Sequence, residues 1–338
     1  MASSFDHPER GRVECPSAPL IAAWLDTWGM PNTTGPLTGP RRTTARTADR
    51  HGGQLVATTY TDTGGRAVGI AVLAPPLLVE TAVQAVSTWS ACLRTRRLLV
   101  PRLTPHCEPA LTALFEPGTP NAPTPAATTD DCRHRASTRQ TALDHRKDGR
   151  TVLVVGAPPG EAGASAPASA EGMLLVPDVE TAVRLRVPDP RNLALVVAPC
   201  ADTRGADRII AALGERFPLL EGQHPGQWCH RSTDNRQAVQ AAVGNSDLAL
   251  FLPGAPPVPP RARNTLRVRT LADLRPADLA PATTIALLGP PASPPSPTAA
   301  EVADMARVLS GLGPTAVVHQ RFTSEAESDA SAGFPHPR

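Results

Sequence analysis

A cysteine followed by a polar turn, a helix-compatible run and a strand-like run is the most reactive arrangement in this chain. Cys229 stands shortly before Asn235-Arg236-Gln237, and the Ala/Val-rich segment 236–243 is compatible with a helix. Leu248–Leu252 then has the continuous apolar pattern of a buried strand. This order places a thiol at the mouth of an α/β unit, where ligands usually bind.

A second thiol stands in a comparable place. The polar, helix-compatible segment 133–150 separates Cys132 from Thr151–Val155, a run that predicts a strand buried on both faces. We therefore expect Cys132 and Cys229 to belong to different α/β units.

The chain has six cysteines and no CxxC pair, so a disulfide framework is not expected. For most of them the simple alternative is a buried free thiol. The cysteines are Cys15, Cys92, Cys107, Cys132, Cys200 and Cys229.

Composition excludes several classes of function. A net charge of +2 over 338 residues implies no surface for nucleic acid. The sequence has no apolar run long enough for a membrane span and no apolar segment of a signal peptide near its start. We therefore expect a cytoplasmic protein. P-loop, HExxH and GxSxG signatures are also absent.

Strand-like and helix-like segments alternate from residue 131 onward, which favours parallel sheets in an α/β protein. Ala18–Trp28 is compatible with a short helix, and the rest of 1–66 shows no clear pattern. The strand-like runs after residue 66 are Val68–Leu73, Leu98–Val100, Thr151–Val155, Met173–Val176, Leu193–Ala198, Leu248–Leu252, Thr284–Leu288 and Thr315–His319.

The segment Cys229–Gln237 resembles the last cysteine motif of the IspH/LytB family, the 4-hydroxy-3-methylbut-2-enyl diphosphate reductases. That motif reads Cys-Tyr-Ala-Thr-x-Asn-Arg-Gln, and this chain has one extra residue between Cys229 and Asn235. Arg216-Phe217-Pro218 is similar to the family's Lys/Arg-Phe-Pro. Cys132 has the family's spacing to the next strand, although the Pro-Leu-Val that follows the family's cysteine is missing.

The resemblance implies a set of site residues. It implies a 4Fe–4S cluster held by three cysteines, of which Cys132 and Cys229 are matched. His106, Asn235 and Ser293 would bind substrate, and Glu161 would stand in for the catalytic acid.

Several family motifs are lost. No cysteine follows the first strand, and Cys107 or Cys15 are the open alternatives for the third cluster ligand. The family's diphosphate-binding Ser-Ser-Asn becomes the proline-rich segment Ala255–Pro260, and Gln-Thr-Thr becomes Ala198–Thr203. Proline offers an anion neither a hydroxyl nor an N–H donor.

The resemblance also implies the architecture. We expect an α/β protein of three small units with mostly parallel sheets around a central cavity, the first unit being truncated. The expected segments are a poorly ordered or unassigned extension (1–66), the reduced first unit (67–130), the second unit (131–220), the third unit (221–322) and a disordered tail (323–338).

Three functions follow as hypotheses. The first is reductive dehydroxylation of an allylic diphosphate in isoprenoid biosynthesis, with ferredoxin or flavodoxin as electron donor. The second is a non-catalytic scaffold or binding protein of the same fold. The third is a zinc site made of Cys132, His134, Cys229 and His230, whose spacing is not that of a known structural site.

Overall fold

Three β-sheets with flanking helices make up the described part of the molecule. The structure is a computed structural model that describes residues 1–37, 53–105, 133–156, 173–291 and 297–322, without the side chains of 133 and 297–299. No helix in these ranges is both long and apolar enough to cross a membrane.

The N-terminal sheet is mixed. Its five strands lie in the order β3-β1-β2-β5-β4, with β1/β2 and β4/β5 antiparallel and the other two pairs parallel. Asp62 fixes the β4–β5 turn, because its Oδ1 accepts the N–H groups of Gly64 and Arg66, both at 2.9 Å. The strands are β1 (Ala2–His7), β2 (Gly11–Glu14), β3 (Gly35–Pro36), β4 (Gln54–Thr61) and β5 (Ala67–Ala74).

The middle sheet is wholly parallel, in the order β10-β9-β7-β8. Its two inner strands are continuous apolar runs because helices cover both faces of a parallel sheet. The strands are β7 (Thr151–Val155), β8 (Met173–Val176), β9 (Leu193–Val197) and β10 (Glu221–Gly222).

The C-terminal sheet is also wholly parallel, in the order β12-β11-β13-β6-β14. It takes β6 from the first third of the chain and the other strands from the last third. These are β6 (Arg96–Pro101), β11 (Leu248–Phe251), β12 (Thr265–Arg267), β13 (Thr284–Leu288) and β14 (Thr315–Gln320).

The α-helices connect these strands. They are α1 (Ala18–Asp26), α2 (Val79–Ser90), α3 (Arg133–Lys147), α4 (Val179–Arg184), α5 (Thr203–Arg216), α6 (Arg231–Gly244), α7 (Pro276–Leu279) and α8 (Pro297–Ser310). The amphipathic α5 buries Ala206, Ile209 and Leu213 on one face, which is the spacing expected of a surface helix.

The chain divides into two compact units. The first comprises Met1–Leu103 and Ala238–Arg321 and holds the N-terminal and C-terminal sheets. The second lies between Thr104 and Gln237 and holds the middle sheet. The largest core cluster of the first unit joins α1, α2 and strands of both its sheets, whereas the second unit has its own cluster around β7 and β9.

The predicted α/β class is confirmed, with two parallel sheets and one mixed sheet. The predicted strands after residue 66 are present, and Ala18–Trp28 contains α1. Within 1–66 the described residues form β1 to β4, and β4 pairs with β5 across the predicted boundary at residue 66. The predicted boundaries at 66, 130, 220 and 322 stay predictions.

Candidate functional site

The site is built at the carboxyl ends of β7 and β9, which lie side by side because Val155 pairs with Val197. Gly156 follows β7 with a φ of +83°. A Cβ at this position would lie 2.8 Å from the Cβ of Ala201, so only glycine permits the close approach of the next loop.

That loop is a tight turn with a cysteine in an unusual conformation. Ala201 N–H donates to Ala198 O at 3.1 Å, and Ala198 N–H donates to Val155 O at 2.9 Å. Pro199 and Cys200 occupy the central positions, and Cys200 has a φ of +58°. Proline followed by a positive φ is the pattern of a type II turn, in which glycine or asparagine normally takes the place of Cys200.

The turn directs Cys200 at the cysteine that precedes α6. The Sγ atoms of Cys200 and Cys229 are 3.5 Å apart. Both residues are buried, with 1% and 3% of their surface exposed, and neither is in a disulfide. Two sulfur atoms are therefore held in contact at the carboxyl edge of a parallel sheet.

A polar cluster, here called the threonine clamp, fixes the two thiol-bearing segments to each other. It consists of Asp202, Thr203, Thr233 and Arg236. The Thr203 N–H donates to Thr233 Oγ1 at 3.1 Å, and the two threonine hydroxyls are 2.9 Å apart. Arg236 binds the Asp202 carboxylate at 2.6 Å. Asp202 and Thr203 lie two and three residues after Cys200, and Thr233 and Arg236 lie four and seven residues after Cys229. The clamp therefore sets the distance between the thiols.

Asn235 is buried, and both ends of its amide are bound to backbone. Its Oδ1 accepts the N–H of Thr104 at 2.9 Å, and its Nδ2 donates to Thr104 O at 2.7 Å. The side chain therefore fixes the segment that leads to His106. Its predicted role in substrate binding stays a prediction.

Most of the other predicted site residues lie outside the described residues; these are His106, Cys107, Cys132, Glu161 and Ser293. Cys15 lies in the apolar cluster of the N-terminal sheet, and burial raises its pKa to about 12. The ring Nδ1 of His134, a proposed zinc ligand, lies 3.0 Å from Gln227 O. Within the described ranges, no three His, Cys, Asp or Glu side chains are placed to hold a metal ion.

The described residues fit a four-iron cluster only in part. Each thiolate of such a cluster binds a different iron, so its ligand sulfurs lie further apart than two ligands of one ion. Two thiolates on a single tetrahedral ion, with bonds of about 2.3 Å, would be about 3.8 Å apart. The 3.5 Å between Cys200 and Cys229 resembles this shorter spacing. Cys229 can thus serve as one cluster ligand. Cys200 lies too close to Cys229 to be a second ligand of the same cluster.

Sequence reasoning missed the pairing of Cys200 with Cys229. In the sequence Cys200 is one of six scattered cysteines and part of Ala198–Thr203, the segment that replaces the family's Gln-Thr-Thr. The available signal was Pro-Cys directly after a buried strand, because a turn at that place carries its side chain to the carboxyl edge of the sheet.

Comparison with known proteins gives partial matches. No family model matches the chain. The chain is 29% identical over 134 residues to the 4-hydroxy-3-methylbut-2-enyl diphosphate reductase of Pseudomonas putida (strain W619). This match covers 38% of this chain and 41% of that protein. The chain is 38% identical over 84 residues to the enzyme of the same name from Ruegeria pomeroyi, and this match covers 25% of this chain and 26% of that protein.

Among solved structures, the chain is similar to the E-1-hydroxy-2-methyl-but-2-enyl-4-diphosphate reductase of Plasmodium falciparum. The TM-score is 0.41 with 14% identity, over 57% of this chain and 64% of the other. The sequence matches span about two fifths of the Pseudomonas protein. The chain is a divergent relative of the 4-hydroxy-3-methylbut-2-enyl diphosphate reductases.

Proposed function

We propose that this chain is a cytoplasmic iron–sulfur reductase that acts on an allylic diphosphate and takes electrons from ferredoxin or flavodoxin. The observation that carries the proposal is the place of Cys229. Its thiol is buried just before α6 and lies against the turn that follows β9. The carboxyl end of a parallel sheet is where ligands of α/β proteins bind.

In this proposal Cys132 and Cys229 would hold the cluster. The third ligand would be Cys107, because Cys15 lies in the apolar cluster of the N-terminal sheet, where burial disfavours its thiolate. When bound, the cluster supplies the two electrons that remove the substrate hydroxyl as water. The chain's own residues supply binding and protons. His106, Asn235 and Ser293 contact the substrate, and Glu161 donates a proton.

The threonine clamp has a positioning role in the same proposal. Its hydrogen bonds fix the start of α6, so the backbone next to Cys229 is already ordered before a ligand binds. Such preorganisation lowers the entropic cost of binding.

A specific observation favours a second candidate, a non-catalytic scaffold of the same fold. In the segment Ala255–Pro260, which replaces the diphosphate-binding motif, four of the six residues are proline and have no N–H. The N–H of Ala255 already donates to Leu252 O at 3.1 Å. Each missing charge-assisted hydrogen bond lowers the affinity for diphosphate by about 1.5–3 kcal/mol.

Anaerobic purification followed by iron and sulfide analysis and electron paramagnetic resonance tests the proposal. A reductase is expected to contain about four irons per chain, to lose the signal in Cys229→Ser and to keep it in the control Cys92→Ser. It should also dehydroxylate the allylic diphosphate with reduced ferredoxin. A wild-type protein without iron would support the scaffold, and one that contains zinc would support the zinc site.

A further inference from the structure

The contact between Cys200 and Cys229 fits a second chemistry that needs no iron. Both residues lie in the second unit, and their sulfurs are 3.5 Å apart without a disulfide bond between them. A disulfide requires a sulfur–sulfur distance of about 2.05 Å. A movement of about 1.5 Å, within the reach of side-chain rotation, closes this gap.

The surroundings are built to keep the sulfurs together. On one side Cys200 is held at a positive φ by its turn, a conformation that costs a residue with a side chain about 1–2 kcal/mol. On the other side the threonine clamp joins the residues that follow each cysteine. Strained backbone of this kind persists where the surrounding contacts over-determine it, and it concentrates at functional sites.

We propose that Cys200 and Cys229 form a reversible dithiol–disulfide site whose oxidant is a peroxide. One thiol loses its proton, and its thiolate attacks a peroxide oxygen. The O–O bond breaks, the sulfur becomes a sulfenic acid, and the departing hydroxide takes up the proton and leaves as water. The second thiol attacks that sulfur, the S–O bond breaks, and a second water leaves as the S–S bond forms. Two thiols thus give two electrons to one peroxide, and a small dithiol reverses the reaction by exchange.

Burial of the pair selects the oxidant. With 1% and 3% of the two residues exposed, a bulky disulfide has little access, whereas hydrogen peroxide is close to water in size. The disulfide also uses the sulfur of Cys229, which is the proposed cluster ligand. Oxidation and cluster binding therefore exclude each other at this residue, although the disulfide itself does not depend on the proposed reductase function.

Peptide mapping of the full chain tests this site directly. The reduced protein is treated with one equivalent of hydrogen peroxide under argon, its free thiols are alkylated in denaturant, and it is digested with trypsin. The two cysteines lie in separate tryptic peptides, Asn192–Arg204 and Phe217–Arg231, neither of which contains another cysteine.

We expect these two peptides to be joined, at a mass about two daltons below their sum, and to separate again with dithiothreitol. Free thiols should fall by two from the six in the sequence. The joined peptide should be absent in Cys200→Ser and in Cys229→Ser and unchanged in Cys92→Ser, which removes another buried thiol. Glutathione disulfide should react at least about ten times more slowly than peroxide.

Two results would overturn the proposal: the two peptides remain separate while other thiols react, or Cys229 is found joined to a cysteine other than Cys200. Because the readout is a covalent bond in wild-type protein, misfolding of a variant cannot imitate either result. Iron content is measured on the same sample before oxidation, so failure of the disulfide and failure of the reductase proposal are seen separately.

Discussion

The two units each bury a group of polar side chains, and the two groups are organised differently. In the first unit, Arg96 and Tyr60 donate to backbone carbonyls, a set of contacts here called the Arg96 cluster. Arg96 binds Leu312 O at 2.6 Å, Cys92 O at 2.7 Å and Leu279 O at 2.9 Å, and Tyr60 binds Ser310 O at 2.7 Å. In the second unit, the thiol of Cys200 contacts the thiol of Cys229, and the hydroxyl of Thr203 contacts the hydroxyl of Thr233.

The difference separates a structural group from a reactive one. In the Arg96 cluster the Nη groups of Arg96 and the Tyr60 hydroxyl donate to backbone carbonyls, so the cluster joins segments distant in sequence. Burial lowers the pKa of Arg96 to about 10, which still leaves the guanidinium charged near neutral pH. In the second unit the clamp uses hydroxyl and carboxylate groups to hold two sulfurs in contact, and those sulfurs can still react. Chemistry is therefore expected in the second unit.

Arg96→Met should cause the largest loss of stability. Methionine fills much of the space but removes three charge-assisted hydrogen bonds to backbone carbonyls, so we expect a loss of about 4 kcal/mol. The urea midpoint of the variant, followed by circular dichroism, measures this effect. Arg97→Met on the exposed side of the same strand is the control, with an expected change within about 0.5 kcal/mol. Equal effects of the two substitutions would show that the Arg96 cluster does not hold the first unit together.

Gly156→Ala should be the most damaging single change near the thiols. Alanine at a φ of +83° costs about 1–2 kcal/mol. Its Cβ also meets the Cβ of Ala201 at 2.8 Å, which raises the expected total to about 3 kcal/mol.

Gly149 is the matched control for that change, because it has a φ of +75° and open space around its Cβ position. We expect Gly149→Ala to cost only the conformational share, about 1–2 kcal/mol. Thermal unfolding of both variants gives the difference. If Gly149→Ala is as destabilising as Gly156→Ala, the close approach of the Cys200 turn to β7 has no energetic weight.

Thr233→Val should separate the function of the threonine clamp from its contribution to stability. Valine keeps the shape but removes the hydroxyl that Thr203 contacts, at an expected cost of about 1–2 kcal/mol. The thiols should then be held less closely, so disulfide formation with peroxide should slow several-fold. Thr233→Ser keeps the hydroxyl and should keep most of the wild-type rate. An unchanged rate in Thr233→Val would mean that the turn at Cys200 positions the thiols without the clamp.

Much of the fold could be predicted from the sequence, for a physical reason. The strands Thr151–Val155 and Leu193–Val197 are buried on both faces, and their continuous apolar composition records that burial directly. By contrast, β1 and β2 are rich in small and polar residues, and their strand character depends on partners elsewhere in the chain.

The candidate site could be predicted only in part. Cys229 stood out because a motif surrounds it, whereas the pairing with Cys200 depends on one positive φ and on the strand order of the middle sheet. The clamp likewise joins Thr203 to Thr233 across a distance in sequence that no local pattern records. Local periodicity predicts which face a residue occupies, and it does not predict which distant side chain lies opposite.

Tyr60 gives the smallest expected effect and the most direct measurement of the Arg96 cluster. Burial raises its pKa to about 12, while the N–H of Gly313, 3.0 Å from its oxygen, acts in the opposite direction. An unfolded tyrosine titrates near pH 10. Between about pH 10 and 12 the folded state therefore holds a proton that the unfolded state releases, and stability falls as pH rises through this window.

The chain contains one tyrosine, so the difference absorbance of tyrosinate in the folded protein reports on Tyr60 alone. We expect the absorbance to rise near pH 12 in the native protein and near pH 10 in denaturant. Tyr60→Phe should cost about 1 kcal/mol at neutral pH through its lost hydrogen bonds. It should also lessen the alkaline loss of stability, and Cys15, whose pKa is raised to about 12, should account for part of the remainder. Titration of native Tyr60 near pH 10 would contradict its burial, and the Arg96 cluster would then be open to solvent, unlike the buried thiols of the second unit.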